Sequence, residues 1–288
     1  MINYLNKLRT TKDELLRSIE IIKRRVNTMA VIERERYVEE LLSNPKYNDK
    51  KRLERYGWKI YSQYDEDGII AEIFIRIGAM SRTFVEFGVG NGLENNTLKL
   101  LLEGWKGLWI EGDEEFVAQI NSKFGDVISR GDLRVVRAYV DRDNVNSLIE
   151  PHFRNEVDIL SIDIDGNDIH ILKSIKVINP RLIVIEYNGK FPPPLSIAQC
   201  YNPAHRWTGS DYGGASLVAI TKVAALKDYS LVACGIVGVN AFFVRNDLLA
   251  DKFQDPFTAE NHYQPARYFL WDAYISGHCP DWGPYEKI

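Results

Sequence analysis

The chain has 288 residues, 45% hydrophobic, 26% charged and 11% aromatic, with 20 Gly and 11 Pro, proportions that exclude collagen-like, low-complexity and wholly disordered chains. Its 36 Lys/Arg against 40 Asp/Glu leave a formal charge of −4, which argues against a nucleic-acid binder relying on overall positive charge but allows a local basic patch. Cys200, Cys234 and Cys279 are odd in number and far apart, so neither a disulfide framework nor a zinc knuckle is indicated. No run approaches the roughly 20 apolar residues of a membrane span, and the N-terminus lacks the pattern of a secretory signal. A soluble, cytoplasmic protein is expected.

Residues 1 to 45 hold no Gly and a single Pro, Pro45. Leu8, Leu15, Ile22 and Met29 recur every seven residues, and Leu5, Lys12, Ile19 and Val26 each precede one of them by three. This a/d pattern predicts a helical arm that either pairs as a coiled coil, making the protein a homo-oligomer, or packs as an amphipathic helix on its own domain. Seven Lys/Arg against three Asp/Glu in residues 1–25 give a local +4, so peripheral contact with an anionic membrane is a weaker third option. The polar stretch Ser43–Lys50 breaks the periodicity, which sets domain boundaries at 1–50 for arm and linker and 51–288 for the main domain.

Beyond the linker, apolar β runs alternate with helical periodicity. Helix is predicted over Ile69–Ile77, strand over Phe84–Phe87, helix over Asn95–Leu102, strand over Leu108–Ile110 and helix over Glu115–Lys123. Strand follows over Val135–Val140, helix over Val145–Phe153, strand over Asp158–Ile162, helix over Ile169–Ile175 and strand over Leu182–Ile185. Apolar strands separated by helices indicate a parallel sheet covered on both faces. The Pro- and aromatic-rich stretch 189–212 is long enough to be a functional loop. After a helix over Ser216–Leu226, Tyr229–Cys234 and Ala241–Arg245 form a hairpin. The expected fold is therefore α/β: a Rossmann-like, mostly parallel seven-stranded sheet with a C-terminal antiparallel hairpin, plus the N-terminal arm.

The first strand runs into Glu86-Phe87-Gly88-Val89-Gly90-Asn91-Gly92, where alternate glycines let the backbone turn tightly and approach a ligand. The dinucleotide fingerprint G-x-G-x-x-G would need a third glycine where Leu93 stands. The second strand ends in Glu111, where a carboxylate suits a ribose diol. Strands four and five end in Asp163-Ile164-Asp165 and Glu186-Tyr187-Asn188, and in a parallel sheet such ends converge on one crevice. Asp163, Glu186 and Asn188 offer hard oxygen ligands for Mg²⁺ or Mn²⁺.

An acidic residue followed by G-x-G-x-G resembles motif I of class I S-adenosylmethionine-dependent methyltransferases. The stretch from Tyr61 to Asn246 more broadly resembles FkbM-like methyltransferases of polysaccharide and natural-product biosynthesis. The matching segments are Ser62-Gln63 with Glu66-Asp67-Gly68, the glycine run, Ile162–Gly166 and Gly238–Arg245. The acidic positions after strands four and five resemble metal-dependent sugar O-methyltransferases of the macrocin type, although Glu186-Tyr187-Asn188 is not a contiguous acidic pair. The resemblance implies cofactor contacts from Glu86, Gly88, Gly90, Gly92 and Glu111, with an adenine-binding side chain near the third strand, where Asp141 stands. It also implies a sugar or sugar-nucleotide acceptor.

The expected activity is O-methylation of a sugar hydroxyl, with Asp163 holding metal and Asp165 or His205 as general base. His205 sits in the long loop with Tyr201, Trp207 and Tyr212, whose rings suit sugar faces, and Lys190 suits an anionic substrate. Two alternatives remain: a sugar-nucleotide glycosyltransferase using Asp163-Ile164-Asp165 as a D-x-D metal site, or a non-catalytic assembly module built on the arm.

Overall fold

A computed structural model of the chain describes residues 2–270 and 277–288, the side chains of residues 2–11 excepted. The chain divides into two compact units, one ending at Asn48 and the other beginning at Asp49. The first is the helix α1 (Ile2–Leu42) followed by a single 3-10 turn, Pro45–Asn48. At a rise of about 1.5 Å per residue, α1 extends roughly 60 Å. Leu15, Ile19, Ile22, Val26 and Met29 on its heptad stripe are each at least half exposed. Leu5 and Leu8, the first members of that stripe, have side chains outside the described residues.

The second unit holds α2 (Glu66–Ile77), β1 (Thr83–Phe87), α3 (Leu98–Leu102), β2 (Lys106–Glu111), α4 (Glu114–Lys123) and α5 (Gly125–Ser129). It continues with β3 (Leu133–Arg137), α6 (Val145–Ile149), β4 (Ile159–Ile162), α7 (Asp168–Ser174), β5 (Leu182–Glu186) and β6 (Ile197–Gln199). It ends with α8 (Leu217–Ala225), β7 (Tyr229–Cys234), β8 (Asn240–Arg245), α9 (Ala259–His262) and β9 (Tyr285–Lys287).

Seven strands form one sheet in the order β3-β2-β1-β4-β5-β8-β7. The first five are parallel, and β8 inserts antiparallel between β5 and β7. The expected α/β sheet with its terminal hairpin is thus observed. Period-two alternation sends Val85, Leu108, Leu160 and Ile183 to the face covered by α6, α7 and α8. Phe84, Trp109, Ile159 and Val184 go to the face covered by α2, α3 and α4. Each such side chain fully removed from water contributes on the order of 2 kcal/mol. None of the helices among the described residues is long and apolar enough to cross a membrane, and all three cysteines are free thiols.

Two boundaries move in ways that matter for the site. The third strand, expected over Val135–Val140, ends at Arg137; the Ala138 N–H still donates to the Glu111 carbonyl (2.9 Å), and Ala138, Tyr139 and Val140 line a cavity. The tail after Phe253, which has little periodicity, contributes β9, and β9 pairs with β6 in a separate two-stranded sheet. The tail is tied further to the long loop, since the Asp211 N–H donates to the Cys279 carbonyl (2.9 Å) and the Cys200 N–H to the Pro284 carbonyl (3.0 Å).

Candidate active site

With β1 flanked by β2 on one side and β4 on the other, the strand order reverses at the β1/β4 pair, and a crevice opens outside their carboxyl ends. Gly88 stands at φ +73°, and a Cβ there would lie 1.6 Å from the Asp163 carbonyl oxygen. Only glycine lets the turn after β1 touch the turn after β4. A Cβ on Gly90 would meet nothing within 4 Å, and its N–H donates to Oε2 of Glu111 (2.8 Å). Gly92 packs away from the crevice, against Trp109 and Phe124.

Glu86 is 2% exposed, and its carboxylate accepts the N–H of Asn96 (2.9 Å) and the N–H and hydroxyl of Thr97 (3.1 and 2.5 Å). It anchors the segment after the glycine turn, and burial lifts its carboxyl to about 7. Burial also raises the Glu111 carboxyl. The two Glu111 oxygens accept from Gly90 and Asp113, which leaves lone pairs for a diol.

Gly88, Gly90 and Glu111 line a cavity together with Tyr139, Asp163 and His205. The open face of Gly90 and the carboxylate of Glu111 fit a group that brings its ribose hydroxyls close to the backbone. Asp141 is not part of this lining. Its Oδ1 accepts the N–H groups of Asp143 and Asn144 (2.8 and 2.7 Å), so it shapes the turn into α6, and residues 138–140 take the wall instead.

A second cavity adjoins the first and shares Asp163, Asp165 and Trp207 with it. Ligand oxygens of Asp163, Asp165 and Glu186 lie within 4.8 Å of one another. Asp168 builds the turn that brings the first two together: its carboxylate accepts the Ile164 and Gly166 N–H groups, both at 2.8 Å, and Asp165 is held at φ +57°. Register pairs Glu186 at the end of β5 with Asn240.

All three carboxyls are pushed above their usual range, chiefly by loss of water; mutual repulsion adds at Asp163 and Glu186, while His205 offsets the rise at Asp165. Each keeps a face to solvent, yet the packed protein atoms around it strip away much of its hydration. Among the described residues none of the three is in an ion pair. Three crowded, uncompensated hard-oxygen donors are the chemistry that a divalent cation satisfies.

The acidic cluster holds Asp165 beside Asp163 and Glu186, two of the expected metal ligands. Asn188 lines the second cavity, but its side-chain amide donates to the carbonyls of Asp211 (3.2 Å) and Gly213 (3.0 Å), and its oxygen accepts the Lys190 N–H (3.1 Å). Its polar atoms hold the loop. His205 borders the first cavity, with Nε2 3.0 Å from the Asp165 carbonyl oxygen. Lys190 pairs with Asp211. Trp207 faces both cavities, whereas Tyr201 packs on His170 and Tyr212 on Tyr285.

Residues that sequence reasoning left without a role complete the second cavity. Tyr268 and His278 line it, with the imidazole of His278 between Tyr268 and Trp207 at centroid distances of 4.5 and 4.9 Å. Burial holds that imidazole below its usual range. Gln63 also lines it. One Asp67 oxygen accepts the N–H groups of Ile60, Tyr61 and Ser62 (2.6, 2.7 and 2.9 Å), folding the loop that carries Gln63.

Residues 77–195 match the methyltransferase FkbM domain. The FkbM match runs from the end of α2 to just before β6, and so takes in Glu86, the glycine turn, Glu111, Asp163, Asp165 and Glu186. It leaves out His205, Trp207, the hairpin and the tail. Solved structures similar to this chain include the CcbJ methyltransferase from Streptomyces caelestis (14% identity, 68% of this chain and 97% of that chain, TM-score 0.39). An S-adenosylmethionine-dependent methyltransferase from Clostridium acetobutylicum is similar at 11% identity (73% of this chain and 98% of that chain, TM-score 0.39). The glycopeptide N-methyltransferase MtfA complexed with S-adenosyl-L-methionine is similar at 13% identity (61% of this chain and 92% of that chain, TM-score 0.38). No curated protein matches the sequence.

Proposed function

We propose that this chain is an S-adenosylmethionine-dependent O-methyltransferase acting on a sugar hydroxyl, assisted by Mg²⁺ or Mn²⁺. The supporting observation is the meeting of two cavities at one acidic cluster: Asp163, Asp165 and Trp207 belong to both walls. A donor in the first cavity and an acceptor in the second would approach each other at that shared wall, where positioning supplies much of the rate. The FkbM match supports the donor class.

Gly88, Gly90 and Glu111 would hold the cofactor, which supplies an electrophilic methyl group when bound. Asp163, Asp165 and Glu186 would hold the cation, whose charge lowers the pKa of a neighbouring hydroxyl. Asp165, the most exposed of the three, would accept the hydroxyl proton at a carboxylate oxygen. Trp207, Tyr268 and His278 give the acceptor cavity an aromatic wall suited to the face of a sugar ring and to excluding water.

Calorimetric titration with S-adenosylhomocysteine, with and without a chelator, followed by methyl-transfer assays on a panel of nucleotide sugars, tests this reading. Asp163→Ala should abolish turnover and leave S-adenosylhomocysteine affinity nearly unchanged. No binding at millimolar ligand would reject the donor assignment, and binding of a nucleotide sugar in its absence would favour glycosyl transfer.

A further inference from the structure

The segment Cys200–Trp207 forms the outer wall of the first cavity, contributing Pro203, His205, Arg206 and Trp207 to its lining. Its ties to the rest of the domain are unusual. The Arg206 guanidinium carbon lies 3.7 Å from the ring centroid of Tyr139. In the opposite direction, the Arg142 guanidinium lies 4.2 Å over the ring of Tyr201. Thus each side, the loop and the chain just past β3, offers one arginine and one tyrosine to the other. The Asn167 amide adds a hydrogen bond to the Asn202 carbonyl (2.8 Å).

Tyr139 is itself fixed from beneath. A Cβ on Gly112 would come within 2.2 Å of its Cδ1, so the ring lies against the backbone of Gly112, next to Glu111. The same ring carries Arg206. The Arg206 guanidinium also donates to the His205 carbonyl (2.6 Å), and among the described residues it is in no ion pair. Its charge is therefore spent on the tyrosine face and on its own loop.

We propose that Arg206 and Tyr139 latch the 200–207 loop over the ribose end of the cofactor cavity, so that this pair sets how long a nucleoside cofactor stays bound. The inference rests on the assignment of that cavity to S-adenosylmethionine. A planar guanidinium stacked on an aromatic face has little to hold it once the pair is broken, whereas entry into an open cavity does not depend on the contact. The latch therefore acts on departure.

Surface plasmon resonance with the immobilised full chain and S-adenosylhomocysteine as probe measures both rates. Arg206→Ala and Tyr139→Leu should each raise the dissociation rate about fivefold, the loss of one exposed cation–π contact. The association rate should stay within about twofold. Arg206→Lys should fall between, keeping charge and losing the planar stack. The double variant should dissociate no faster than the faster single one, because both changes remove the same contact. An unchanged dissociation rate in Arg206→Ala, whose exposed side chain makes misfolding no explanation, would overturn the latch. So would additive effects in the double variant. Failure of the unaltered chain to bind S-adenosylhomocysteine would instead strike the cofactor assignment itself.

Discussion

The two glycines at the crevice should respond in opposite ways to the same added methyl group. Gly90→Ala meets no atom within 4 Å, so its cost is the left-handed backbone at φ +53°, about 1 kcal/mol. For a domain of this size that is a fall in Tm of about 2–4 °C. Its methyl group nevertheless projects where a ligand would approach, so S-adenosylhomocysteine affinity should drop at least tenfold, on the order of 1.4 kcal/mol.

Gly88→Ala carries the same backbone penalty at φ +73° and adds a Cβ 1.6 Å from the Asp163 carbonyl oxygen. The clash falls on backbone, so relief requires β1 and β4 to separate at Phe87–Ile162, where they are paired. Overpacking of that kind adds roughly 1–3 kcal/mol or more, for a total of about 3 kcal/mol. Urea denaturation gives the stabilities and calorimetric titration the affinities. Equal stability losses in the two variants, or unweakened ligand binding by Gly90→Ala, would refute this division of labour.

Burial lifts the Glu86 carboxyl from 4.5 to about 7, so the folded chain holds a proton there that the unfolded chain has released. Stability should fall as pH rises from about 4.5 to about 7, by roughly 3 kcal/mol from this group. Glu86→Gln should flatten that slope in urea melts across the window. Addition of Mg²⁺ at pH 8 should raise Tm, by about 2.7 kcal/mol of stabilisation at a hundredfold excess over Kd; Asp163→Asn should abolish the rise in differential scanning fluorimetry. In light scattering the full chain should be an oligomer, and Ile19→Glu with Ile22→Glu should reduce it to a monomer; an unchanged mass would remove the arm from assembly.

Much of the fold was legible because long-range order here has a local signature. Apolar runs such as Leu182–Ile185 and Phe84–Phe87 are buried on both sides, and their helices carry plain amphipathic spacing. The glycine turn, Glu111, Asp163 and Glu186 were visible as chemistry at strand ends. Asp141 and Asn188 turn polar atoms to backbone groups, Asp141 within its own turn and Asn188 across the loop to Asp211 and Gly213, and sequence shows the residue type without its partner. The edge strand β3 kept its apolar alternation past the point where the chain leaves the sheet, so Tyr139 was hidden inside an expected strand. Tyr268 and His278 had no local signal, because β9 finds its partner β6 across most of a hundred residues.

That late pairing has a consequence for how the protein can change. Tyr268 and His278 line the second cavity and not the first, and they lie well beyond the FkbM match that ends at residue 195. The glycine turn and Glu111 are encoded far upstream. Mutational drift in the tail can therefore remodel one chamber while the other keeps its shape. On the proposed function, a lineage built on this plan could exchange acceptors and retain its donor, with Trp207 a ring obliged to suit both.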